Sequence, residues 1–444
     1  MSASFMTAIA QRTVDAAELA SEASIPEFIA WCSAKRITHH PAVQIVVTDG
    51  EGLGVIAGGA VAAGEALISV PRRACLSLSN SYEGAAAGIA LDQKHALALA
   101  AATQPEEMRP WLALWPKLAE GTWALDEAGW KAFSWNRELR RLHDQQEAAA
   151  RRAFSEVSSA GGDAAPSWET YRWAMSIVSS RAADVVVSGE RQPCVVPLLD
   201  LLNHRPYGLE NGAIRFETSD DGEDRLVVRC VRAVVAGEPL TICYGDKPNS
   251  ALLHGYGFAT RPNPSDTLLL RVPLGAPTDL VSMQRVAMLP SGLLAPPEPS
   301  DEARSDEGAS ESGPAAEGTL GWDRAGRAAW VSPELQMLLR AATAASVPEL
   351  FAALTSGAAA EDDEETAAAD GGDACRKEGA PTCELSPAAW GLLREAAQAA
   401  LDALDATAKP VAASYWPHVA ADVALRARRE LLSSALETAQ RALS

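Results

Sequence analysis

The chain has 444 residues, enough for two or three domains, and its 38 basic against 58 acidic side chains leave a net charge of -20. That balance excludes a nucleic-acid binder, which needs a basic footprint to neutralise phosphates. Seven cysteines, at positions 32, 75, 194, 230, 243, 375 and 383, include no Cys-x-x-Cys pair and no zinc spacing; they read as reduced thiols in a reducing compartment, not as a disulfide scaffold or a metal site.

The first twenty residues carry Asp15, Glu18 and only Arg12, a poor secretory signal and a weak match to an acidic-poor transit peptide. Residues 24–36 predict a short helix, with Ser24 as cap, Pro26 in the first turn, and Phe28, Ile29, Trp31 and Cys32 as its apolar positions. Residues 43–80 predict strands and turns: 43–47, 53–56 and 66–70, separated by Asp49-Gly50, Gly58-Gly59 and Ala63-Gly64-Glu65. From about 85 to 165 the spacing turns helical, with many Ala and with Trp at 111, 115, 123, 130 and 135. No apolar run reaches membrane length, because Asp92, Gln93, Lys94 and His95 break the Ala-rich stretch 85–102.

A helix is predicted over 168–182, then strands and turns over 194–260, including 225–231, 234–235 and 240–244. Residues 296–318 and 357–381 are acidic and of low complexity, and predict disordered loops. Helices are expected around and after them, one opened by Ser332-Pro333-Glu334 and two with apolar stripes at Trp390, Leu393, Ala397, Leu401, Leu404 and at Leu425, Leu432, Leu436, Ala439, Leu443.

Four short motifs carry chemistry. Glu51-Gly52-Leu53-Gly54 places two glycines around one apolar residue, which lets backbone pass close to a ligand; alone it is more often a plain turn. Ser179-Ser180-Arg181-Ala182 ends a helix with a guanidinium suited to a carboxylate, although on these residues alone an Arg satisfying helix-end carbonyls is the preferred reading. Asn203-His204 follows an apolar run that ends in Asp200-Leu201-Leu202. Its Asn can read amino and carboxylate groups, while a structural His is the simplest account of the second residue. Tyr244-Gly245, Asn249 and Tyr256-Gly257-Phe258 would separately pass for a turn, a helix and core aromatics.

Together and in this order, over residues 24–265, the motifs resemble SET-domain methyltransferases of the Rubisco large-subunit lysine methyltransferase type. The resemblance implies an α+β fold: a SET domain over 24–265, built of small twisted sheets with knot-like threading and split by a helical insert at about 85–165. An all-α domain that binds the protein substrate then follows over 266–444. It implies S-adenosyl-L-methionine as methyl donor. Glu51 and Leu53 would line that molecule, Arg181 would approach its carboxylate end, Asn203 and His204 would bind its amino-acid and adenine parts, and Phe258 would stack on its adenine. Tyr244 would be the catalytic tyrosine and Tyr256 would wall the acceptor channel.

The chain departs from the family at Arg205, where a small Ser is usual, at Ala183, where an aromatic is common, and at Pro248, which replaces a small polar residue. The first two put the snugness of the donor pocket in doubt. The expectation is a protein-lysine N-methyltransferase acting on a non-histone protein, such as the Rubisco large subunit, in chloroplast or cytoplasm, with no metal, nucleic acid or membrane partner. A protein-histidine acceptor and a non-catalytic SET-like binding protein remain open.

Overall fold

A computed structural model describes residues 8–10, 24–48, 52–78, 91–103, 106–161, 165–187, 190–219, 222–274, 278–290, 293–294, 314–322, 328–355, 385–407 and 416–444. The chain divides into two compact units, residues 1–261 with 411–424, and residues 262–410 with 425–444.

In the first unit the predicted strands assemble into small sheets. The largest has six strands in the order Thr38–His39, Ala66–Pro71, Asp224–Cys230, Gly212–Thr218, Thr241–Ile242, Asn203–His204. Its long pairs are antiparallel, and the central strand Asp224–Cys230 buries Leu226, Val227, Val228 and Cys230, as a strand covered on both faces does. The last two pairings are parallel: Thr241 and Ile242 align with Asn203 and His204, and Ile242 also aligns with Gly212. A Cβ on Gly212 would lie 2.9 Å from Val228 and 3.2 Å from the Thr241 carbonyl, so only glycine admits this close approach.

The hairpin Val43–Thr48/Gly52–Ala57 is stitched to the same sheet by Leu240 N–H donating to the Val55 carbonyl (2.8 Å) and Ala57 N–H to Glu238 (2.9 Å). A third sheet runs Leu76–Ser77, Glu190–Val195, Ala182–Val187.

The helical insert packs on these sheets. Helix Gln93–Ala102 starts where the Asp92 carboxylate accepts from His95 N–H, and its alanines let it lie close against helix Trp168–Arg181. The latter is capped by Ser167 and buries Tyr171, Ala174, Met175 and Val178, the i, i+3, i+4, i+7 stripe of an amphipathic helix. Trp111, Trp123 and Tyr171 are among the largest fully buried side chains of the unit. Helix Asn249–Tyr256 ends at Gly257, whose φ of +80° suits glycine, and the reversal delivers Phe258 into the core.

The second unit holds the expected helices Pro333–Thr343, Pro387–Thr407 and the later part of Trp416–Leu443, together with Leu280–Met288 and Val347–Thr355. Ser332 caps the first of these with Pro333 in its first turn, as predicted. This unit also contains an antiparallel sheet, Thr267–Pro273, Ala315–Trp322, Ala329–Val331, beyond the all-helical region expected. Its middle strand overlaps the end of the stretch 296–318 that composition marks as a loop; 296–313 and 357–381 lie outside the described residues. Small residues explain the strand: a Cβ on Gly318 would meet Leu335 at 2.8 Å, so helix and sheet touch where composition alone shows only turn formers.

Asn249 has a structural task. Its amide donates to the Thr260 carbonyl (3.1 Å) and accepts from Thr260 N–H (2.9 Å), bracketing strand Ala259–Arg261, which pairs with Ala8–Ala10. Thr260 is fully buried. Asn249→Ala leaves both backbone groups without this partner, and is expected to destabilise the protein by about 2–4 kcal/mol in urea unfolding.

Candidate active site

The site grows from one irregular segment. After strand Glu190–Val195 the chain turns at Leu198, a buried residue with φ of +69°, and makes the single 3-10 turn Leu199–Leu201 before Asn203–His204 joins the sheet. Non-glycine residues avoid this conformation, so neighbours must hold it. Asp200 supplies the hold. Its Oδ2 accepts from the Trp111 and Trp115 indole N–H groups at 2.9 and 3.1 Å. Burial pushes this carboxyl up to about 6, against the opposing pull of Arg181 and the two indoles.

Two carbonyls of the segment orient site side chains. Asp200 O accepts from Arg181 Nη1 at 2.9 Å, and Leu202 O accepts from the Tyr244 hydroxyl at 2.7 Å. The backbone N–H of Tyr244 donates to His204 Nδ1 at 3.1 Å, which fixes that ring nitrogen as an acceptor and places the neutral ring's proton on Nε2. Burial first, then Arg205 and Lys247, lowers His204 to about 4.

Tyr244, Tyr256, Phe258 and His204 form one cluster of rings. Tyr244 stacks on Tyr256 at 4.8 Å between centroids, His204 lies 5.2 Å from Tyr244 and 5.7 Å from Phe258, and Tyr256 lies 5.9 Å from Phe258. Burial holds the Tyr244 phenol well above its usual range, with Tyr256 adding to the effect, and burial pushes Tyr256 up to about 12. Both phenols are therefore protonated at neutral pH. With its one proton directed at Leu202, the Tyr244 oxygen can only accept from a further donor.

Leu53 reaches the same region from the glycine-rich hairpin, whose strand Gly52–Ala57 lies against the turn Leu199–Leu201. Glu51 lies outside the described residues. Arg181 ends its helix half-buried, donates from Nη2 to Glu120 at 3.2 Å, and keeps its Nε buried without a hydrogen bond. Of the departures, Arg205 donates back to the His204 carbonyl at 2.9 Å, Ala183 pairs with Cys194 in the third sheet, and Pro248 forms the cap of helix Asn249–Tyr256.

Glu120, Trp111 and Trp115 belong to the site without having been singled out for it. Trp111 lies in the short helix Arg109–Leu112 and Trp115 in the turn that follows it, where Trp115 N–H donates to the Leu112 carbonyl at 3.1 Å. Nothing local points to an aspartate more than eighty residues away. Among the described residues no group of three or more His, Cys, Asp or Glu is placed to hold a metal ion, and no helix is long and apolar enough to cross a membrane.

No family model matches the chain. Among solved structures it is similar to the SET domain of LSMT bound to lysine and AdoHcy, with a TM-score of 0.65 and 15% identity over 95% of this chain and 92% of that one. It is also similar to Rubisco LSMT bound to AdoMet, with a TM-score of 0.61, 14% identity and the same coverage. The chain therefore has the SET-domain fold of these structures.

Among curated proteins, a segment of 108 residues is 32% identical to a ribosomal lysine N-methyltransferase of Schizosaccharomyces pombe, covering 24% of this chain and 19% of that protein. A segment of 131 residues is 30% identical to the actin-histidine N-methyltransferase of Drosophila melanogaster, covering 28% and 23%. A third, of 111 residues, is 33% identical to SET domain-containing protein 4 of Mus musculus, covering 23% and 24%. The matched segments thus span about a fifth to a quarter of each curated relative.

His204 provides a test of the site's electrostatics. Its pKa is lower folded than unfolded, so its contribution to stability is complete above pH about 6.5 and is lost as pH falls toward about 4. The destabilisation caused by His204→Gln should therefore shrink between pH 7 and pH 4, by on the order of 2–3 kcal/mol, in denaturant titrations of the two proteins at each pH.

Proposed function

We propose that the chain is a protein-lysine N-methyltransferase that uses S-adenosyl-L-methionine and acts on a non-histone protein. The observation that carries this reading is the Tyr244 hydroxyl, donating to Leu202 O within the cluster of Tyr256, Phe258 and His204. A neutral phenol so fixed offers lone pairs to an amine N–H, and aromatic faces line the approach. That suits the alignment of a nitrogen nucleophile and does not suit proton abstraction by a strong base.

The methyl donor, when bound, supplies an electrophilic methyl group on a positively charged sulfur. The residues present fit it. Arg181 keeps a buried Nε donor without a partner, the kind of group a ligand carboxylate satisfies. Leu53 and the adjoining glycines give a backbone rim, Asn203 and His204 a polar wall, and Phe258 an aromatic face; Glu51 completes the proposed set. An acceptor lysine, with an ordinary pKa of about 10.4, must lose its proton to react. Burial among Tyr244, Tyr256 and Phe258 disfavours the ammonium and moves the amine toward its reactive form. Tyr244 then orients the nitrogen by accepting its N–H, and the face of Tyr256 favours the cationic product.

We assign the holding of the protein substrate to the helices of the second unit, and name the Rubisco large subunit as the first substrate to assay. A histidine acceptor is the second reading, favoured by the matched segment of the Drosophila actin-histidine enzyme. Incubation with isotopically labelled S-adenosylmethionine and chloroplast or cytosolic extract, with mass-spectrometric mapping, separates the cases. Label on lysine, lowered roughly 100-fold or more by Tyr244→Phe, is the expected result. Label on histidine selects the second reading. Neither transfer nor donor binding in any fraction would leave a partner-binding protein.

A further inference from the structure

Three consecutive residues of the helical insert touch both halves of the site. Glu120 accepts through Oε2 from the Ser180 hydroxyl at 2.7 Å and through Oε1 from Arg181 Nη2 at 3.2 Å. Gly121, with φ of +60°, is pressed onto the backbone of helix Asn249–Tyr256: a Cβ there would lie 2.4 Å from the His254 carbonyl and 3.0 Å from Gly255. The Thr122 hydroxyl lies 3.1 Å from His254 Nδ1, 3.3 Å from His254 O and 3.1 Å from His143 Nδ1. His143 comes from the long insert helix Arg137–Gly161 and packs against Trp123 and Trp130. So one end of the segment holds the last residues of the helix that presents Arg181, and the other holds the helix that ends in Tyr256.

The chemistry of each contact is directional. A carboxylate that accepts from both Ser180 and Arg181 fixes the plane of the guanidinium, and with the Asp200 carbonyl on Nη1 it leaves Nε as the donor without a partner. Thr122 cannot be replaced by a residue of the same shape without a hydroxyl, because His254 and His143 would both lose a partner in a mostly buried place. Glycine is needed between them, since any side chain would strike the helix backbone.

We propose that Glu120–Gly121–Thr122 is a positioning segment for methyl transfer, in which Glu120 sets Arg181 for the donor's carboxylate and Thr122 sets the helix that carries Tyr256. As a device for methyl transfer the segment rests on the proposed function; the hold of Thr122 on helix Asn249–Tyr256 is a property of the fold and is tested apart from it.

Calorimetric titration of the full chain with S-adenosylmethionine tests the first arm. Glu120→Ala is expected to weaken binding about tenfold, and Glu120→Gln, which keeps an oxygen for Arg181 and a polar partner for Ser180, to recover most of it. Equal binding by wild type and Glu120→Ala overturns this arm alone. No binding by wild type overturns the proposed function and this arm with it. Equal losses in the Ala and Gln variants, matched by equal falls in thermal midpoint, reduce Glu120 to a structural residue and also overturn it.

The second arm is read by hydrogen exchange with mass spectrometry. Thr122→Val is expected to speed exchange of amides 249–256 about tenfold while leaving 24–34 unchanged, and Thr122→Ser to restore protection. Unchanged exchange in Thr122→Val, or exchange raised equally in both regions, overturns it.

Discussion

A buried carboxylate gripped by two indoles underlies the rest of the site. Removing Asp200 from water carries a penalty of several kcal/mol, and its raised pKa shows that burial outweighs its partners. The bonds from Trp111 and Trp115 offset part of that penalty and hold the backbone around Leu198, whose positive φ is a sparsely populated conformation that costs roughly 1–3 kcal/mol. In return the Asp200 and Leu202 carbonyls face Arg181 and Tyr244. Carbonyl oxygens aimed in this way cannot be supplied by side-chain choice; they need a backbone path that regular strand or helix does not offer.

Much of this was legible in the sequence. The hairpin 43–57, the helix ending at Arg181 and the strands flanking Asn203 follow from period, caps and turn residues, because those signals are local. Tyr244, Tyr256, Phe258 and His204 were marked by motif, and the fold brings their rings together. Asn249, which travelled with the motif, serves instead as a bracket for Thr260.

The illegible part is long-range. Glu120 and Arg181 meet across 61 positions, Trp111 and Asp200 across 89, and neither pairing has a spacing signature. Arg181, which the residues alone suggest for backbone carbonyls and the resemblance for a ligand carboxylate, donates to the Asp200 carbonyl and to the carboxylate of Glu120. The sheet of the second unit was hidden for a different reason: Ala315–Trp322 is rich in small residues, and its pairing with Thr267–Pro273 and Ala329–Val331 and its contact with Leu335 make it a strand.

The parallel pairing of Asn203–His204 with Thr241–Ile242 has a kinetic consequence. Two residues on each side form a pairing too short to persist alone, and parallel register requires the intervening stretch to be in place first. The ring cluster further needs residues up to Phe258. Loop closures of this span are entropically slow, so the site belongs to the late-forming part of its unit, after local helices and hairpins have condensed. During synthesis the ribosome must release the chain beyond Phe258 before the ring cluster can form.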